Sequence, residues 1–374
     1  MKSLKPFSVL IPDANSPYFL GVLYSLSQIK GIKIYVMSSL KYSPIKYSIY
    51  IKNYSYFPNL NSDIQWVNCI DSEVKRFNID LVMPVDEYGI RLTIKNKALF
   101  SCAEKLCIIP SIKNFDIANN KGVLSKHMHK NQIKCSKGII VKAGNILKET
   151  LINFPVIIKP VEGFGGGRGM QKFETRQSVE DFFLMNTFNY DYLIEEYIEG
   201  YDLGVNVLCE KGTILAYTMQ KGNLFHDQPF KPQIGLDFLY EPELYIEVKK
   251  LVKSLNWSGV ANIDVRYDKN KKAYKILEIN PRFWYTLDAS LCAGVNFPYL
   301  YCLSSLGVNY NIPNYKCISY LNLNGLLKTF KGNKRFIFRI KYLFNNTILK
   351  FLLRDPLVLG YRIFNSIGNR LKNK

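Results

Sequence analysis

Histidine is scarce in this sequence, with three residues among 374. The eight cysteines include no C-x-x-C pair, and His127 and His129 have no cysteine close by, so the sequence gathers no zinc ligands. The first residues lack the long apolar stretch of a signal peptide. These absences favour reduced, mostly buried thiols in a cytoplasmic protein.

Low-complexity tracts and internal repeats of about 20 to 50 residues are also absent. Hydrophobic residues make up 48% of the chain and aromatic residues 14%, which excludes a disordered protein and predicts a sizeable core. A length of 374 residues allows two or three domains.

Acidic residues are few relative to basic ones, and the net charge is +20. The segment from Lys316 to Lys374 contains 13 Lys or Arg and one acid, Asp355, so it carries +12. The other 315 residues carry only +8. The excess positive charge is therefore concentrated at the C-terminal end.

The N-terminal third alternates between strand-like and helix-like patterns. Apolar runs at Phe7–Ile11, Ile32–Met37, Leu81–Val85 and Leu106–Ile109 are typical of buried strands, and a helical pattern from Tyr18 to Gln28 separates the first two. This order predicts a small parallel α/β domain. No G-x-G-x-x-G follows the first strand, which argues against a dinucleotide site.

Three regions follow from the changes in pattern along the chain. Asp13 and Asp86 each follow a predicted strand of the first region, where α/β sheets place ligand contacts, although acids are equally common in turns. Short strands with glycine-rich or acidic turns begin at about Asn114. A basic, aromatic and aliphatic segment follows Tyr310. We therefore predict an α/β domain over 1–113, a second α/β and α+β domain over 114–310, and a helical tail over 311–374.

A glycine-rich loop follows a strand that ends in a lysine. Val156–Pro160 includes Lys159 and opens into Gly163–Gly169. Glycines let backbone N–H groups turn toward a phosphate, and the lysine adds a positive charge. The alternative is an ordinary surface hairpin. The segment is not a P-loop, because no Gly-Lys-Ser/Thr closes it.

The segment Tyr192–Gly200 forms a second candidate nucleotide contact. Its strand-like pattern breaks at Gly200, and Asp202 lies just beyond. An extended backbone can bind an adenine ring through N–H and C=O groups, and a carboxylate can accept ribose hydroxyls. The alternative is an edge strand with solvated acids.

The strongest pattern contains Asp264, Glu278 and Asn280. Val260–Tyr267 and Tyr274–Ile279 predict an antiparallel hairpin around a polar turn. Alternation puts Glu278 and Asn280 on one face, and pairing can place Asp264 opposite them. Three oxygen donors on one face suit Mg²⁺.

The alternative for Glu278 is a structural ion pair with Arg266 or Arg282. Charged residues in an apolar strand need such a partner or a metal. Arg282 follows the hairpin on a proline-stiffened turn, from which a guanidinium can bind a phosphoryl group or a substrate carboxylate.

The order of these motifs resembles the ATP-grasp superfamily, whose members include D-alanine:D-alanine ligase, biotin carboxylase and the carbamoyl-phosphate synthetase large chain. The resemblance covers roughly Asn114 to Val308. It implies that Lys121 and Lys159 contact ATP phosphates under the glycine loop that contains Gly163, Gly165, Gly166 and Gly167. It further implies an adenine hinge at Glu195, Glu196 and Ile198, a ribose contact at Asp202, magnesium ligands at Asp264, Glu278 and Asn280, and a catalytic role for Arg282 and Lys159.

The sequence departs from the family pattern at two positions. The ribose acid is commonly Glu, whereas here it is the shorter Asp202. Many relatives read Phe-Trp-Gly-Ser after the arginine, whereas this chain has Tyr285 and Thr286 at the last two positions, which reshapes the expected acceptor pocket. The segment from Lys221 to Glu241, with His226, Asp227, Lys231 and Asp237, is a candidate contributor to that pocket.

The resemblance implies a ligase that uses ATP and Mg²⁺, with Mn²⁺ as an alternative, to activate a carboxylate as an acyl phosphate and couple it to an amine. The carboxylate is expected on a small molecule or a saccharide. The alternatives are a kinase-like or carboxylase-like phosphoryl transfer and an ATP-binding adaptor without turnover.

The C-terminal tail predicts an amphipathic helix over 335–354. Phe336, Leu343, Phe351 and Leu352 recur at helical spacing with Arg and Lys nearby. The helix suits an anionic membrane surface, at the inner face of the membrane for a cytoplasmic protein, or packing on the core or on a second subunit of a homodimer. Nucleic acid is not expected as a partner, because the basic residues lie among large aliphatic side chains.

Overall fold

Strands and helices alternate along the chain in the computed structural model, which describes residues 6–58, 62–143, 152–162, 167, 169–186, 188–226 and 232–360. The strands are β1 (Phe7–Ile11), β2 (Ile32–Ser38), β3 (Ile51–Tyr56), β4 (Leu81–Val82), β5 (Gly138–Val141), β6 (Val156–Pro160), β7 (Gln171–Phe173), β8 (Tyr192–Glu196), β9 (Gly200–Glu210), β10 (Thr213–Leu224), β11 (Gly235–Leu239), β12 (Gly259–Asp268), β13 (Ala273–Asn280) and β14 (Ser319–Leu321). The helices are α1 (Phe19–Leu26), α2 (Asp63–Phe77), α3 (Glu87–Lys95), α4 (Ile112–Asn119), α5 (Lys121–Lys130), α6 (Arg176–Met185), α7 (Pro242–Ser254), α8 (Leu287–Cys292), α9 (Phe297–Ser305), α10 (Leu323–Gly332), α11 (Ile340–Asn345) and α12 (Leu349–Arg354). The predicted α/β and α+β class is confirmed.

Two compact units divide the chain. The first unit contains Met1–Ile112, Ser258–Val260 and Arg282–Lys374, and the second contains Lys113–Trp257 and Ala261–Pro281. The division at residues 113 and 310 stays a sequence prediction.

The first unit is built on a four-stranded sheet with the order β3-β2-β1-β4, in which neighbouring strands are parallel. Every residue of β1 is buried, and α2 packs Val67 and Ile70 against Leu10 and Met37. The predicted parallel domain is confirmed, with β3 as a strand that the sequence pattern did not indicate. Ser62 begins α2 by accepting the N–H of Gln65.

The second unit contains two sheets. One has the order β5-β8-β6-β7, and its paired strands are antiparallel. The other includes β13-β12-β9-β10-β11, and its β12–β13 pair is the antiparallel hairpin predicted from the sequence. Helix α5 begins at Lys121, where the Asn120 side chain accepts the N–H of Val123.

The C-terminal region is helical, as expected, but the single amphipathic helix over 335–354 is wrong. A 3₁₀ turn over Lys334–Phe338 precedes the short helices α11 and α12. Phe336, Leu343, Phe351 and Leu352 are buried, so that much of the predicted apolar stripe packs on the first unit. No helix in the described part of the chain is long and apolar enough to cross a bilayer.

The eight cysteines are free. Cys102, Cys107, Cys209 and Cys302 are buried. Burial raises the pKa of the Cys107 thiol to about 12, which keeps it protonated and unreactive.

Asp288 gives the first unit a pH-dependent contribution to stability. It is buried on α8 beside the Tyr320 hydroxyl, which donates to it, and burial raises its pKa to about 6. A pKa above the unfolded value stabilises the fold at low pH, and this contribution is lost as pH rises from about 4 through 6. Asparagine cannot ionise, so Asp288→Asn should lack this loss. We expect the difference in free energy of unfolding between the variant and the wild type to favour the variant by about 2 kcal/mol more at pH 8 than at pH 4. Denaturant titrations at both pH values measure this, and equal shifts would contradict it.

Candidate active site

The β12–β13 hairpin places its polar side chains opposite each other. Asp264 pairs in register with Glu278, and Asn262 pairs with Asn280. The Asn280 amide Nδ2 donates to Asp264 Oδ2 at 3.1 Å and to Glu278 Oε1 at 3.4 Å. The predicted convergence of Asp264, Glu278 and Asn280 is therefore present in the structure.

Two lysines place positive charge beside these acids. Lys121 Nζ lies 3.4 Å from Glu278 Oε2. Burial by itself would raise the pKa of Glu278, but the positive charges of Lys121 and Lys159 lower it to about 2. Glu278 is thus ionised at neutral pH, and its ion-pair partner is Lys121 rather than either arginine considered from the sequence.

Lys159 is a buried cation with a buried partner. Its Nζ lies 2.5 Å from Glu195 Oε2, and the two side chains are only 5% and 6% exposed. Burial would lower the pKa of Lys159, yet the negative charges of Glu195, Glu278 and Asp264 raise it above its usual value. The Ser136 hydroxyl donates to the other oxygen of Glu195. Lys159 therefore stays protonated in the interior.

A backbone hydrogen bond ties the start of α5, which carries Lys121, to the end of β6, which carries Lys159. Lys159 lies on β6, which is flanked by β7 and β8. Lys121 opens α5, and its backbone N–H donates to the carbonyl of Val161 at 3.2 Å, just past the end of β6. The start of the helix is thus tied to the end of the strand that carries the second lysine.

The residues at the hairpin fit a magnesium ion by their chemistry. Two carboxylates and one amide supply hard oxygen donors, the set that Mg²⁺ takes together with phosphate oxygens and water. The Asn280 amide contacts both acids, so a rotated amide would present its oxygen to the same point. The described residues contain no group of three or more His, Cys, Asp or Glu suited to a metal.

Arg266 organises the hinge segment after β8 and was not recognised as a site residue in the sequence. Its Nε donates to the carbonyl of Ile198 at 2.6 Å, and its Nη1 lies 2.5 Å from Asp202 Oδ1. Its Nη2 donates to the carbonyl of Gly200 at 3.2 Å. One guanidinium thus holds both the candidate adenine hinge and the candidate ribose acid.

Gly200 is required where β9 begins, because an added Cβ would lie 1.7 Å from the Tyr267 carbonyl oxygen. This close approach brings the hinge against β12, which carries Arg266. Glu196 is the last residue of β8, and its N–H donates to the Lys137 carbonyl at 3.1 Å. The N–H of Tyr197 donates to the Pro155 carbonyl at 2.9 Å. The backbone of the hinge is therefore held from several sides.

Arg282 lies in the first unit. Its guanidinium stacks on the Tyr18 ring at 4.4 Å from the centroid, and its Nε lies 3.7 Å from Glu87 Oε2. Tyr285, at the position where many relatives have glycine, contacts the same ring edge-on at 4.9 Å and is exposed. Arg282 therefore lies between the Tyr18 ring and Glu87, the first residue of α3, and Tyr285 packs on the other side of the contact with Tyr18.

Asp13 and Asp86 hold loops at the carboxyl end of the parallel sheet. Asp13 accepts the N–H groups of Val85 and Asp86, and Asp86 begins α3 by accepting the N–H of Gly89. Burial raises the pKa of Asp13, and the neighbouring charge of Asp86 raises it further. Both acids line a cavity of about 450 Å³ whose described lining residues include Trp66 but no Lys or Arg.

The described residues include only part of the glycine-rich loop. Gly167 and Gly169 adopt positive φ angles of 74° and 72°. Gly163, Gly165 and Gly166 lie outside the described residues, as do Asp227 and Lys231 of the candidate acceptor segment. Elsewhere in that segment Lys221 pairs in register with Asp237, and its Nζ lies 3.7 Å from the Tyr201 ring centroid.

Sequence comparisons agree with this geometry. A family model described as "ATP-grasp in the biosynthetic pathway with Ter operon" matches residues 189–325. The chain is 28% identical over 205 residues to a D-alanine–D-alanine ligase of Wolbachia pipientis wMel, and the match covers 48% of this chain and 62% of that ligase. It is 26% identical over 162 residues to a D-aspartate ligase of Enterococcus faecium (strain Aus0004), and the match covers 37% of each.

The fold also matches solved structures. The N5-carboxyaminoimidazole synthetase from Staphylococcus aureus complexed with ADP aligns with a TM-score of 0.69, covering 90% of this chain and 88% of that chain at 14% identity. At that identity the likeness shows a shared fold. The family-model match over residues 189–325 and the ligase relatives make this chain similar to ATP-grasp proteins.

Proposed function

We propose that the protein is an ATP-dependent carboxylate–amine ligase. A substrate carboxylate attacks the γ-phosphorus of ATP and releases ADP, and an amine then attacks the acyl phosphate and releases phosphate as the amide forms. The convergence of Lys121 and Lys159 on Glu278, beside Asp264 and Asn280, is the observation that carries this proposal. Two cations beside a metal-type donor set fit a polyphosphate chain.

Lys121 and Lys159 are proposed to bind the phosphates of ATP. Lys159 is held protonated by Glu195 in a site with little water, where a charge acts more strongly than in solution. Lys121 is less buried, so its ammonium can turn from Glu278 to a phosphate oxygen. Neither lysine transfers a proton, because the reaction needs charge neutralisation and alignment.

Asp264, Glu278 and Asn280 are proposed to hold Mg²⁺, with Mn²⁺ as an alternative. When bound, the ion would neutralise charge on the phosphates. The low pKa of Glu278 keeps its carboxylate available as an anion across the neutral pH range. Asn280 keeps both acids in one place through its amide.

Glu195, Glu196 and Ile198 are proposed to form the adenine hinge, and Asp202 to contact the ribose. Glu195 also has a second task, because its side chain holds Lys159. The loop over Gly163–Gly169 is proposed to close over the phosphates and exclude water from the acyl phosphate.

Arg266 is expected to act as a positioning residue for ATP. Replacing it by methionine removes three hydrogen bonds to the hinge and the ion pair to Asp202, so we expect the KM for ATP to rise about tenfold while kcat changes less. Steady-state kinetics with varied ATP concentration measures KM and kcat separately. Lys269→Met, at an exposed position nearby, is the matched control, and an unchanged KM for ATP in the Arg266 variant would contradict the role.

The acceptor is proposed to be a small-molecule or saccharide-linked acid together with an amine. Arg282 is suited to a carboxylate or an acyl phosphate, since a guanidinium donates two parallel hydrogen bonds to such groups. The cavity of the first unit suits a protonated amine, because Asp86 lines it and its described lining residues include no Lys or Arg.

The experiment that tests the reaction is an acceptor screen with ATP and Mg²⁺ that records ADP, phosphate and product mass. D- and L-amino acids are the first substrates to try, because two relatives are named for D-alanine and D-aspartate ligation. An amide product supports the proposal. A stable phosphoester, a bicarbonate-dependent product, or no ATP consumption in single-turnover experiments with any acceptor would overturn it.

A further inference from the structure

The C-terminal tail is fixed to the N-terminal sheet region of the same unit. Phe351 and Leu352 of α12 are at most 1% exposed and pack with Tyr24. Asp355, fully buried, accepts the Ser48 hydroxyl at 2.7 Å and the Ile49 N–H at 3.2 Å. The tail and the segment around residue 48 therefore form one continuous surface.

Large apolar side chains remain exposed on both parts of that surface. Phe338 is 79% exposed, Ile340 62% and Leu357 60%, although buried neighbours such as Phe336 and Val358 anchor the same segments. Ile49, whose N–H is bound to Asp355, is 63% exposed. We call the exposed side chains of residues 41–52 and 337–357 the basic apolar surface.

An open groove forms one part of the basic apolar surface. It has a volume of about 540 Å³ and is lined by apolar Phe338 and Ile340 together with basic Arg339 and Lys341. Apolar side chains and cations thus alternate along its wall. This mixture differs from an ordinary solvated face, which rarely gathers several large apolar groups.

The charge of the basic apolar surface has one sign. Residues 14–62 contain five lysines and no acid, and residues 289–374 contain 13 Lys or Arg and one acid, Asp355. Because Asp355 is fully buried, its carboxylate is not presented at this surface. Residues 63–288, which include the whole of the second unit, carry a net charge of only +2. The positive charge of the protein is therefore concentrated around these two segments.

We propose that the basic apolar surface docks the protein on an anionic lipid bilayer. Lysines and arginines would lie among the lipid phosphates while Phe338, Ile340, Leu357 and Ile49 enter the headgroup boundary. A second copy of the chain fits less well, because two surfaces of the same sign repel each other. A nucleic acid would match the charge but would leave the exposed aliphatic side chains in water.

The full-length chain is tested by sedimentation with vesicles of phosphatidylcholine alone and of phosphatidylcholine with phosphatidylglycerol. We expect binding to the anionic vesicles only, falling as salt rises. Lys341→Gln with Arg354→Gln should lower the partition coefficient about 30-fold, since each exposed charge near the surface contributes about a fivefold factor. Phe338→Ser with Ile340→Ser should lower it by about tenfold or more.

The matched control is Leu184→Ser with Met185→Ser, two exposed apolar residues at the end of α6 in the other unit, and it should bind as wild type does. The substituted side chains are all exposed, so the variants are expected to fold. Equal binding of all variants, or equal binding to neutral vesicles, would overturn the proposal. The proposal would also be overturned if these substitutions left vesicle binding unchanged and instead abolished self-association, measured by sedimentation velocity, or binding to an oligonucleotide.

Discussion

Replacing Glu278 by glutamine should lower the rate of ADP formation about 100- to 1000-fold. The substitution keeps the size of the side chain but removes the charge that Lys121 pairs with at 3.4 Å and that the proposed magnesium site requires. The affinity for Mg²⁺ should fall as well, so raising the concentration of Mg²⁺ should recover part of the activity. Initial rates of ADP release across a magnesium titration measure both effects.

Glu174→Gln is the matched control for this change. Glu174 is an exposed acid of the same unit that pairs with Lys172, and its loss should leave the rate unchanged. Thermal unfolding of each variant checks that the hairpin still folds. Full activity of a Glu278→Ala, Asn280→Ala double variant would show that the metal and phosphates bind elsewhere.

The hairpin could be predicted from the sequence because its information is local. Asp264 and Glu278 are fourteen residues apart, one turn joins their strands, and alternation decides which side chains share a face. Arg266 lies on the same hairpin, yet its role could not be predicted, since its partners Ile198 and Asp202 are more than 60 residues away. The pairing of Lys159 with Glu195 similarly depends on β6 and β8 being neighbours.

In the C-terminal tail, the sequence pattern predicted helical structure but neither where the helices end nor what they pack against. A stripe at helical spacing from Arg335 to Arg354 predicted one helix, but α11 ends at Asn345, and Asn346, Thr347 and Ile348 separate it from α12. The stripe could not indicate that Tyr24, more than 300 residues earlier, would cover Phe351. Strand β3 was missed for a related reason, because its tyrosines and polar residues give weak alternation and only pairing with β2 makes it a strand.

Replacing Lys159 by methionine should abolish ligase activity and also destabilise the second unit. Methionine fills similar space, but Glu195 would then be buried without its cation, a change that costs about 3–5 kcal/mol for buried pairs. The Ser136 hydroxyl would remain the hydrogen-bond donor of the Glu195 carboxyl group. Denaturant unfolding measures the loss of stability, and ADP release measures the loss of activity.

The double variant Lys159→Met, Glu195→Gln separates these two effects. Removing both charges removes the unpaired buried acid, so the free energy of unfolding should return to within about 1 kcal/mol of the wild type. Activity should stay as low as in the single variant, because no cation replaces Lys159 at the phosphates. A double variant that regains activity would show that Lys159 acts only as the partner of Glu195. A stable single variant would show instead that water reaches the pair, and the low exposure of both side chains argues against this.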